Sequence, residues 1–419
     1  MHFNLETIVA WAKRRGFAYP GSDIYGGLAN AWDLGPYGAQ LHKHIVDAWW
    51  RYFIQERDDM VGLDAAILMN PRVWEASGHI ASFSDPLVDC KKCKARERAD
   101  KLIEDNGGDT PEARTFEEQY RYLVEHHVTC PECGASDWTE PKHFNLMFKT
   151  QQGVIDGEGK DIYLRPETAQ GIFVNFKNIL DTTRVRIPFG IGQIGKSFRN
   201  EITPGNFMFR VREFEQMEIE YFVENDVTVG LQWLQTWKEI SEQWRIEQIG
   251  IKKEKLRFRE HDPKELAFYS KGTWDVEYEF PRGWGELQGI AYRTDYDLKQ
   301  HQEFSGKDLQ YTDPMTGKRY LPHCIEPSWG LTRAILTAMI DAYDEEEYLN
   351  QKGEKETRVV ARFHPNIAPV KYAILPLVKK DEVQVQLGKE LFHKLSKLYS
   401  CEYDDNGAIG KRYRRQDEI

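Results

Sequence analysis

The sequence predicts an α+β fold in which an antiparallel sheet is flanked by helices. The stretch from Gly195 to Phe222 holds two extended runs around a turn at Pro204-Gly205-Asn206, which is the pattern of a β-hairpin. Two further runs of strand type, TWDVEYEF and GWGELQGI, lie between 272 and 290. Another, HCIEPSWG, leads directly into the helical pattern LTRAILTAMIDAY. These runs, separated by helical patterns, are the basis of the prediction.

Length and composition limit the class of protein. At 419 residues the chain exceeds one compact core, so we expect two or three domains, and 41% apolar residues suffice to fill them. The net charge of -11 argues against a protein that coats nucleic acid, although a local basic run, 411–415, remains. There is no apolar run of membrane-spanning length and no signal-peptide pattern at the amino terminus, so we expect a cytosolic protein without membrane contact.

The first long element is an amphipathic helix over residues 38–54. Its apolar positions recur at helical spacing, with Leu41, Ile45, Ala48 and Trp49 on one face. We assign residues 1–85 and 141–360 to one core domain. The range between them, 86–140, is rich in Lys, Arg, Glu and Cys with little strand pattern, and we interpret it as an inserted module.

Four of the six cysteines form the pairs Cys90-x-x-Cys93 and Cys130-x-x-Cys133. In a reducing compartment such pairs favour a metal over disulfides, and four thiolates complete a tetrahedral zinc site. The gap between the pairs is longer than in a compact zinc ribbon. Structural thiols without a metal, or a site that has lost its metal, are therefore the alternative.

Two charged or helical regions follow the hairpin. Residues 225–265 are interpreted as a helical insertion within the core, and Trp233, Trp237 and Trp244 at spacings of four and seven are expected to form one buried helix face. After the charged connector QKGEKETR, the strand YAILPLV and a helix over 383–398 begin a separate α/β domain, which we place at 365–419.

The second run of the hairpin divides its side chains by parity. Arg210, Arg212, Phe214, Gln216, Glu218 and Glu220 share one face, and most of the intervening residues are apolar. A solvated antiparallel strand would explain the alternation but not this concentration of arginines and glutamates. We therefore expect the polar face to bind a ligand.

Phosphate is expected to be held by arginine. The sequence contains neither a P-loop nor a convincing dinucleotide-binding glycine motif. Arg199, before the turn, is suited to hold an α-phosphate, and Glu201 beside it can accept a hydrogen bond from the adenine amino group. Phe214, after the turn, can stack on the base, and Arg333, at a helix start, can hold the terminal phosphate. This set predicts an ATP site. For Arg333 alone, a salt bridge on a helix surface is an equally good interpretation.

Four segments occur in the order and at the intervals of a known family. These are GSDIYGGLANAWDLGPYGAQL (21–41), RPETAQGIF (165–173), FRNE with FRVREF, and EPSWGLTR (326–333). On these segments the chain resembles the class II aminoacyl-tRNA synthetases, and specifically the homodimeric type of glycyl-tRNA synthetase, over nearly its whole length. The resemblance implies the class II antiparallel sheet, a homodimer formed through 21–54, and the substrates ATP, glycine and tRNA(Gly).

The resemblance also implies the site residues. Arg199 and Arg333 would be catalytic, and Mg²⁺ bound with ATP would lie near Glu286. The implied ATP contacts are Arg199, Asn200, Glu201, Phe209, Arg210, Val211, Arg212, Glu213, Phe214, Glu286, Leu287, Gly330, Leu331, Thr332 and Arg333. The implied glycine contacts are Arg98, Glu167, Phe214, Glu215, Gln216, Met217, Glu218, Glu326, Ser328 and Gly330.

Two alternatives to this function remain at this level. A non-catalytic synthetase-like protein that binds nucleic acid should have lost the charged site residues, whereas Arg199, Glu286 and Arg333 are all present. A class II synthetase for another amino acid is the second alternative. The chain also departs from the family pattern, because the anticodon-binding domain of the family continues beyond GAIGKRYRRQDEI. We therefore expect the domain at 365–419 to be incomplete.

Overall fold

The amino-terminal part of the chain forms two helices and three short strands. The computed structural model describes residues 3–108, 114–153, 159–202, 205–263, 266, 270–349 and 353–419. The first elements are α1 (Leu5–Arg15), β1 (Ala18–Pro20), β2 (Trp32–Leu34), α2 (Pro36–Trp50) and β3 (Met60–Gly62). Helix α2 confirms the predicted amphipathic helix, because Leu41, Ile45 and Trp49 are fully buried.

Two short helices precede the inserted range, and a small sheet joins its two ends. The elements of this part of the chain are α3 (Arg72–Ala76), α4 (His79–Ser82), β4 (Ser84–Asp89), β5 (Arg96–Arg98), α5 (Ala99–Asp105), α6 (Phe116–Glu125) and β6 (Lys142–Asn145). Strands β5, β4 and β6 form an antiparallel sheet in that order. Among the described residues of 86–140, the strands are limited to the end of β4 and to β5, which agrees with the expectation of little strand structure in this range.

The rest of the core alternates strands and helices. Its elements are β7 (Lys149–Gln152), β8 (Lys160–Tyr163), α7 (Ala169–Thr182), β9 (Phe189–Phe198), β10 (Glu213–Val223), α8 (Val227–Trp244), β11 (Leu256–Glu260), β12 (Gly272–Phe280), β13 (Gly283–Thr294), α9 (Tyr296–Ser305), β14 (Tyr311–Thr312), β15 (Arg319–Tyr320), β16 (His323–Gly330) and α10 (Leu331–Ala342). Seven of the strands form the central sheet, in the order β11-β12-β13-β16-β10-β9-β3. All neighbours are antiparallel except β3 and β9, which confirms the predicted class.

The connection between β9 and β10 is longer than a tight hairpin turn. The strands pair from Phe198 with Glu213 to Phe189 with Phe222, so the 14 residues 199–212 form the loop. Within it the chain reverses between Gly205 and Arg210, which exchange two backbone hydrogen bonds. Pro204 lies outside the described residues. The prediction that Arg210 and Arg212 belong to the strand was therefore wrong, because β10 begins only at Glu213.

Aromatic side chains fill the core between the sheet and its helices. Trp237 and Trp244 of α8 are 0% and 1% exposed and pack with Phe53 and Trp329. Trp233 is partly buried at the edge of the same cluster. These contacts confirm that the tryptophans of α8 form a buried helix face.

The chain ends in a hairpin and a small α/β unit. The remaining elements are β17 (Tyr343–Leu349), β18 (Lys355–Ala361), β19 (Tyr372–Ile374), α11 (Glu382–Leu395), β20 (Cys401–Tyr403) and α12 (Ile409–Asp417). Strands β19 and β20 are parallel, as expected for strands joined through a helix. The unit contacts the amino-terminal part, where Trp11 donates from Nε1 to the Glu418 carbonyl at 3.1 Å. Among the described residues, no helix is long and apolar enough to cross a membrane.

Candidate active site

A polar cleft of about 240 Å³ opens over the face of the sheet formed by β10, β13 and β16. Strand register places its side chains, since Glu218 of β10 lies opposite Ser328 of β16. Residues predicted to bind ligands make up most of the lining. They are Glu167, Arg199, Glu201, Phe209, Arg210, Val211, Phe214, Glu215, Gln216, Glu218, Glu286, Leu287, Glu326, Ser328, Gly330, Thr332 and Arg333.

Two arginines lie at one end of the cleft. Arg199 donates from Nε to the Pro166 carbonyl at 3.1 Å, and its guanidinium carbon is 5.3 Å from the centre of the Phe214 ring. Arg333 donates from Nη1 to the Glu286 carbonyl at 2.9 Å and lies over the ring of Phe209. These backbone and ring contacts fix both guanidinium groups beside the cleft, where they can contact a polyphosphate.

Three carboxylates form the other end. The side chains of Glu167 and Glu326 are each 14% exposed, and Glu218 is 1% exposed. Glu218 accepts a short hydrogen bond from the Thr168 hydroxyl, and Gln216 donates from Nε2 to Glu218 at 3.3 Å. A small organic cation is the ligand that such a pocket favours, because a buried carboxylate needs a compensating charge.

Burial acts strongly on these carboxylates. It raises the pKa of Glu326 to about 8, although the charge of Arg293 opposes the shift. Burial and the charge of Glu167 likewise raise the pKa of Glu218. For Glu167, burial is outweighed by the charge and hydrogen bond of His79, so its pKa lies below the usual value. The pocket therefore holds both ionised and protonated carboxyl groups near neutral pH.

Arg293 is a site residue that the sequence interpretation missed. It is 5% exposed, pairs with Glu326 through Nη1, and binds Asp297 through Nε at 2.8 Å and Nη2 at 2.9 Å. Gln170 connects Asp297 to Glu167 through one amide nitrogen, at 3.0 Å from each. The local sequence gives little signal, because Arg293 lies within β13 and its partner Glu326 is far along the chain, so only the pair with Asp297 is local.

His79 is the second missed residue. Its Nε2 lies 3.3 Å from Glu167, and its Nδ1 is 2.8 Å from the hydroxyl of Ser77. It belongs to the short helix α4, which precedes the inserted module. Nothing in the local sequence distinguishes this histidine, because its partner lies far along the chain.

Six residues of the predicted site lie elsewhere. Met217 and Leu331 are fully buried in the apolar core, so their side chains are not available to a ligand in the cleft. Asn200, Arg212 and Glu213 line the neighbouring groove described below. Arg98 binds Asp85 at 3.0 Å and Asp100 at 2.6 Å, inside the inserted module. Met217 was wrongly predicted as a contact because its side chain lies on the apolar face of β10. Arg212 was wrongly predicted because β10 begins only at Glu213.

Comparisons with known proteins agree with this geometry. Residues 148–343 match the family model "tRNA synthetase class II core domain (G, H, P, S and T)". The chain is 58% identical over 423 residues to a glycine–tRNA ligase of Acetivibrio thermocellus, covering 99% of this chain and 89% of the relative. It is 56% identical over 420 residues to one of Caldanaerobacter subterraneus subsp. tengcongensis, with the same two shares, 99% and 89%. The chain belongs to the glycine–tRNA ligase family.

Class II synthetases use Mg²⁺ together with ATP. In this chain, Glu286 is the predicted ligand of that ion. The Glu286 carboxylate is 48% exposed and lies 3.3 Å from Arg333. Among the described residues, the cluster of possible metal ligands is that of the four paired cysteines, and it does not lie beside the cleft. Glu286 therefore fits an ion that arrives with the phosphates rather than a resident metal.

The four paired cysteines of the module lie close enough together to hold a metal ion. Their sulfur atoms all lie within 4.8 Å of one another, with Cys90 and Cys133 at 3.7 Å and Cys93 and Cys130 at 3.6 Å. A tetrahedral zinc site with Zn–S bonds of about 2.3 Å has sulfur atoms roughly 3.8 Å apart. The arrangement therefore fits zinc.

The two cysteine turns have the same backbone geometry. Lys94 and Gly134, each directly after the second cysteine of its pair, have φ angles of 65° and 70°. Their amides donate to the carbonyls of Cys90 and Cys130 at 2.9 and 2.8 Å. Two matching turns that present four thiols at one point are typical of a structural metal site.

A second, more apolar groove lies behind the cleft. It is lined by residues 28–34, together with Phe148, Leu164, Phe198 and Ile335. Met208, Val211, Phe214, Glu215 and Thr332 line both the groove and the cleft. This shared wall, defined as these five residues, lies between the nucleotide end of the cleft and the groove.

Proposed function

We propose that the chain attaches glycine to tRNA(Gly) in an ATP-dependent reaction that passes through glycyl-adenylate. The observation that carries this proposal is a cleft lined both by two arginines and by three carboxylates that lie close to one another. The named relatives support it, since they are glycine–tRNA ligases over nearly the whole chain.

ATP would occupy the arginine end. Arg199 would hold the α-phosphate and Arg333 the terminal phosphate, while Phe214 would stack on the adenine and Glu201 would accept from its amino group. Mg²⁺ near Glu286 would neutralise charge on the phosphates when ATP is bound. Each arginine already has its Nε held by a backbone carbonyl, which supports a role in which the guanidinium is positioned before the reaction.

Glycine would occupy the carboxylate end. Its ammonium would lie among Glu167, Glu218 and Glu326, and the hydroxyl of Ser328 would contribute a hydrogen bond. An amino acid with a side chain would need space that these glutamates and Ser328 would occupy. Steric exclusion of larger substrates is a strong filter. An editing domain is therefore not required.

The first step would be in-line attack of a glycine carboxylate oxygen on the α-phosphorus of ATP, with pyrophosphate leaving. In the second, a ribose hydroxyl at the 3′ end of tRNA would attack the glycyl carbonyl, and AMP would leave. No side-chain nucleophile is needed. The residues of the cleft would act by orienting both substrates and by stabilising charge on the phosphates.

Three features of the assembly belong to the same proposal. A second copy would cover the groove and the exposed apolar side chains Ile24 and Leu28, giving a homodimer through 21–54. Zinc would be held by the four paired cysteines, whose free thiols suit the reducing cytosol. The α/β unit at 365–419 would belong to an anticodon-binding domain.

The first test is exchange of pyrophosphate with ATP in the presence of glycine. We expect Arg199→Ala to lose at least about a hundredfold in rate, because a positioned cation that meets transition-state charge is worth about 3 kcal/mol or more. Exchange near the wild-type rate would refute the assignment of Arg199.

The same assay separates the alternatives. Exchange supported by serine or alanine but not by glycine would indicate another class II specificity. Absence of exchange with every amino acid, in a protein that still binds RNA, would favour the non-catalytic alternative.

A further inference from the structure

Phe83 contacts the arginine that we assign to the α-phosphate. The guanidinium carbon of Arg199 is 5.3 Å from the centre of the Phe83 ring, the same distance as from Phe214. A guanidinium at this distance over an aromatic face is attracted by the ring quadrupole. Two rings therefore act on one guanidinium, of which only Phe214 belongs to the predicted ATP site.

Phe83 is itself held in place. Its amide donates to the His79 carbonyl at 3.2 Å at the end of α4, and its ring lies 5.2 Å from that of His79. The His79 ring in turn lies 5.4 Å from that of Trp74, which is fully buried. A ring with such an anchor can fix the position of the cation beside it.

Backbone hydrogen bonds connect Phe83 to the nucleotide end of the cleft. The Phe83 carbonyl accepts from the Leu146 amide at 3.0 Å, and the Leu146 carbonyl accepts from the Asn200 amide at 2.8 Å. Asn200 directly follows Arg199. The side chain of Phe83 and the backbone at Asn200 thus approach the same arginine from one segment.

Phe83 also lies just before the inserted module. It immediately precedes β4, whose other end leads into Cys90. The six residues of this strand span roughly 20 Å, so the cysteine cluster and Phe83 lie at opposite ends of one strand. Strand β4 therefore connects the inserted module to the residue that contacts Arg199.

We propose that Phe83, directly before β4, is a positioning residue for Arg199 and thereby strengthens the binding of ATP. This inference rests on the proposed role of Arg199 at the α-phosphate. With its guanidinium held by two rings and its Nε bound to Pro166, Arg199 directs its terminal amino groups to the phosphates. Loss of the Phe83 ring loosens the guanidinium and weakens nucleotide binding, while the glycine end is unaffected.

The test compares Phe83→Leu, Phe83→Tyr and a matched control in pyrophosphate exchange. Phe83→Leu keeps apolar volume but removes the ring, and we expect the KM for ATP to rise about fivefold, as for loss of one cation–π contact. The KM for glycine should stay within about twofold. Phe83→Tyr restores the ring and the wild-type KM for ATP. The control Phe116→Leu removes a half-buried ring of the same module that stacks on His143, and it should have no effect on either KM.

A double-mutant cycle on ATP affinity, measured by calorimetry, separates positioning from a general structural role. In an Arg199→Gln background, Phe83→Leu should have no further effect, because the cation is gone. The proposal is overturned if Phe83→Leu leaves the KM for ATP unchanged, if it raises both KM values together with a lower melting temperature, or if its effect is the same in the Arg199→Gln background. Wild-type ATP affinity in Arg199→Gln alone would instead refute the role of Arg199, and the proposal for Phe83 with it.

Discussion

Charge balance in the glycine end depends on a few side chains. Glu167, Glu218 and Glu326 converge there, and Arg293 faces Glu326 from β13. With one guanidinium shared between Glu326 and Asp297, the pocket has an excess of carboxyl groups, and burial keeps a proton on some of them. An ammonium that enters supplies the missing positive charge. We therefore expect binding of glycine at this predicted site to be coupled to release of a proton.

A pH-dependent stability difference follows for Glu326. Its pKa is raised in the folded protein from 4.5 to about 8, so the folded state holds a proton that the unfolded state has released. The contribution of Glu326 to the free energy of unfolding is largest below the pKa of this group in the unfolded state, and it is lost as pH rises through about 8. We expect Glu326→Gln, which cannot ionise, to gain in melting temperature over the wild type between about pH 6 and pH 8, without glycine.

Differential scanning fluorimetry across this pH range measures the effect. The exposed Glu254→Gln serves as the control and should give a difference that does not vary with pH. A difference that is also flat for Glu326→Gln would contradict the raised pKa.

The residues that sequence reasoning found share a property that the missed ones lack. Arg199, Glu218 and Arg333 lie in short segments where several polar residues occur together, so each segment signals a site. Arg293 and His79 act through partners far along the chain, and a single sequence holds no record of such pairs. Their roles become visible only when the strands and α4 bring the partners together.

Among the secondary-structure elements, periodicity predicted regular segments well. The alternation in β10 separates polar from apolar side chains, although residues 216–223 are buried on both faces of the strand. The spacing of the tryptophans of α8 identifies the buried face of that helix. The loop between β9 and β10 was not predictable in this way. Its residues 199–212 take their conformation from the cleft and the groove that they border, not from local turn preferences.

Trp244 tests the aromatic core formed by α8. It is 1% exposed and packs against Phe53 and Trp329 with ring centres 5.7 and 6.1 Å away. Trp244→Ala should destabilise the core by about 3–5 kcal/mol, because the cavity cannot be refilled by the surrounding rings. Urea unfolding followed by circular dichroism measures this.

The matched control is Trp284→Ala, since Trp284 is 39% exposed at a strand end. It should change stability by no more than about 0.5 kcal/mol. Equal effects of the two substitutions would show that α8 does not anchor the core.

For the whole molecule, the separate units were predicted from composition, but their contacts were not. The change to Cys, Lys and Glu is the basis for the predicted inserted module. The charged run QKGEKETR is not a plain connector, because its residues from Lys355 onward belong to β18, which pairs with β17. What composition does not contain is the geometry by which Phe83, just before the module, meets Arg199, or by which Trp11 meets Glu418. Those contacts join surfaces of different elements and arise only when the fold is complete.

Dimerisation through 21–54 is tested with a charge in the exposed apolar surface. Leu28 and Leu349 are both 67% exposed, but only Leu28 lies in the predicted interface. We expect Leu28→Asp to shift the sedimentation of the protein from dimer to monomer, because a buried unpaired carboxylate is costly. Leu349→Asp should sediment as the wild type does. A wild-type protein that is monomeric at micromolar concentration would contradict the interface.

Zinc is tested by elemental analysis of the purified chain. We expect about one zinc per chain, lost in Cys93→Ser together with a lower melting temperature of the module. Cys401→Ser, which alters a cysteine outside the cluster, should retain the metal. A full complement of zinc in Cys93→Ser would exclude the four-cysteine site.

The shared wall between cleft and groove has a consequence for inhibitor discovery. Phe214, Glu215 and Thr332 present one side to the nucleotide end and the other to the groove. A compound bound in the groove of the free subunit would displace residues of the predicted ATP site. Such a compound need not resemble a nucleotide. It would also occupy the surface expected to receive the second copy. Screening against the groove therefore offers compounds unlike nucleotides, and ATP would weaken their binding by the same factor by which they weaken that of ATP.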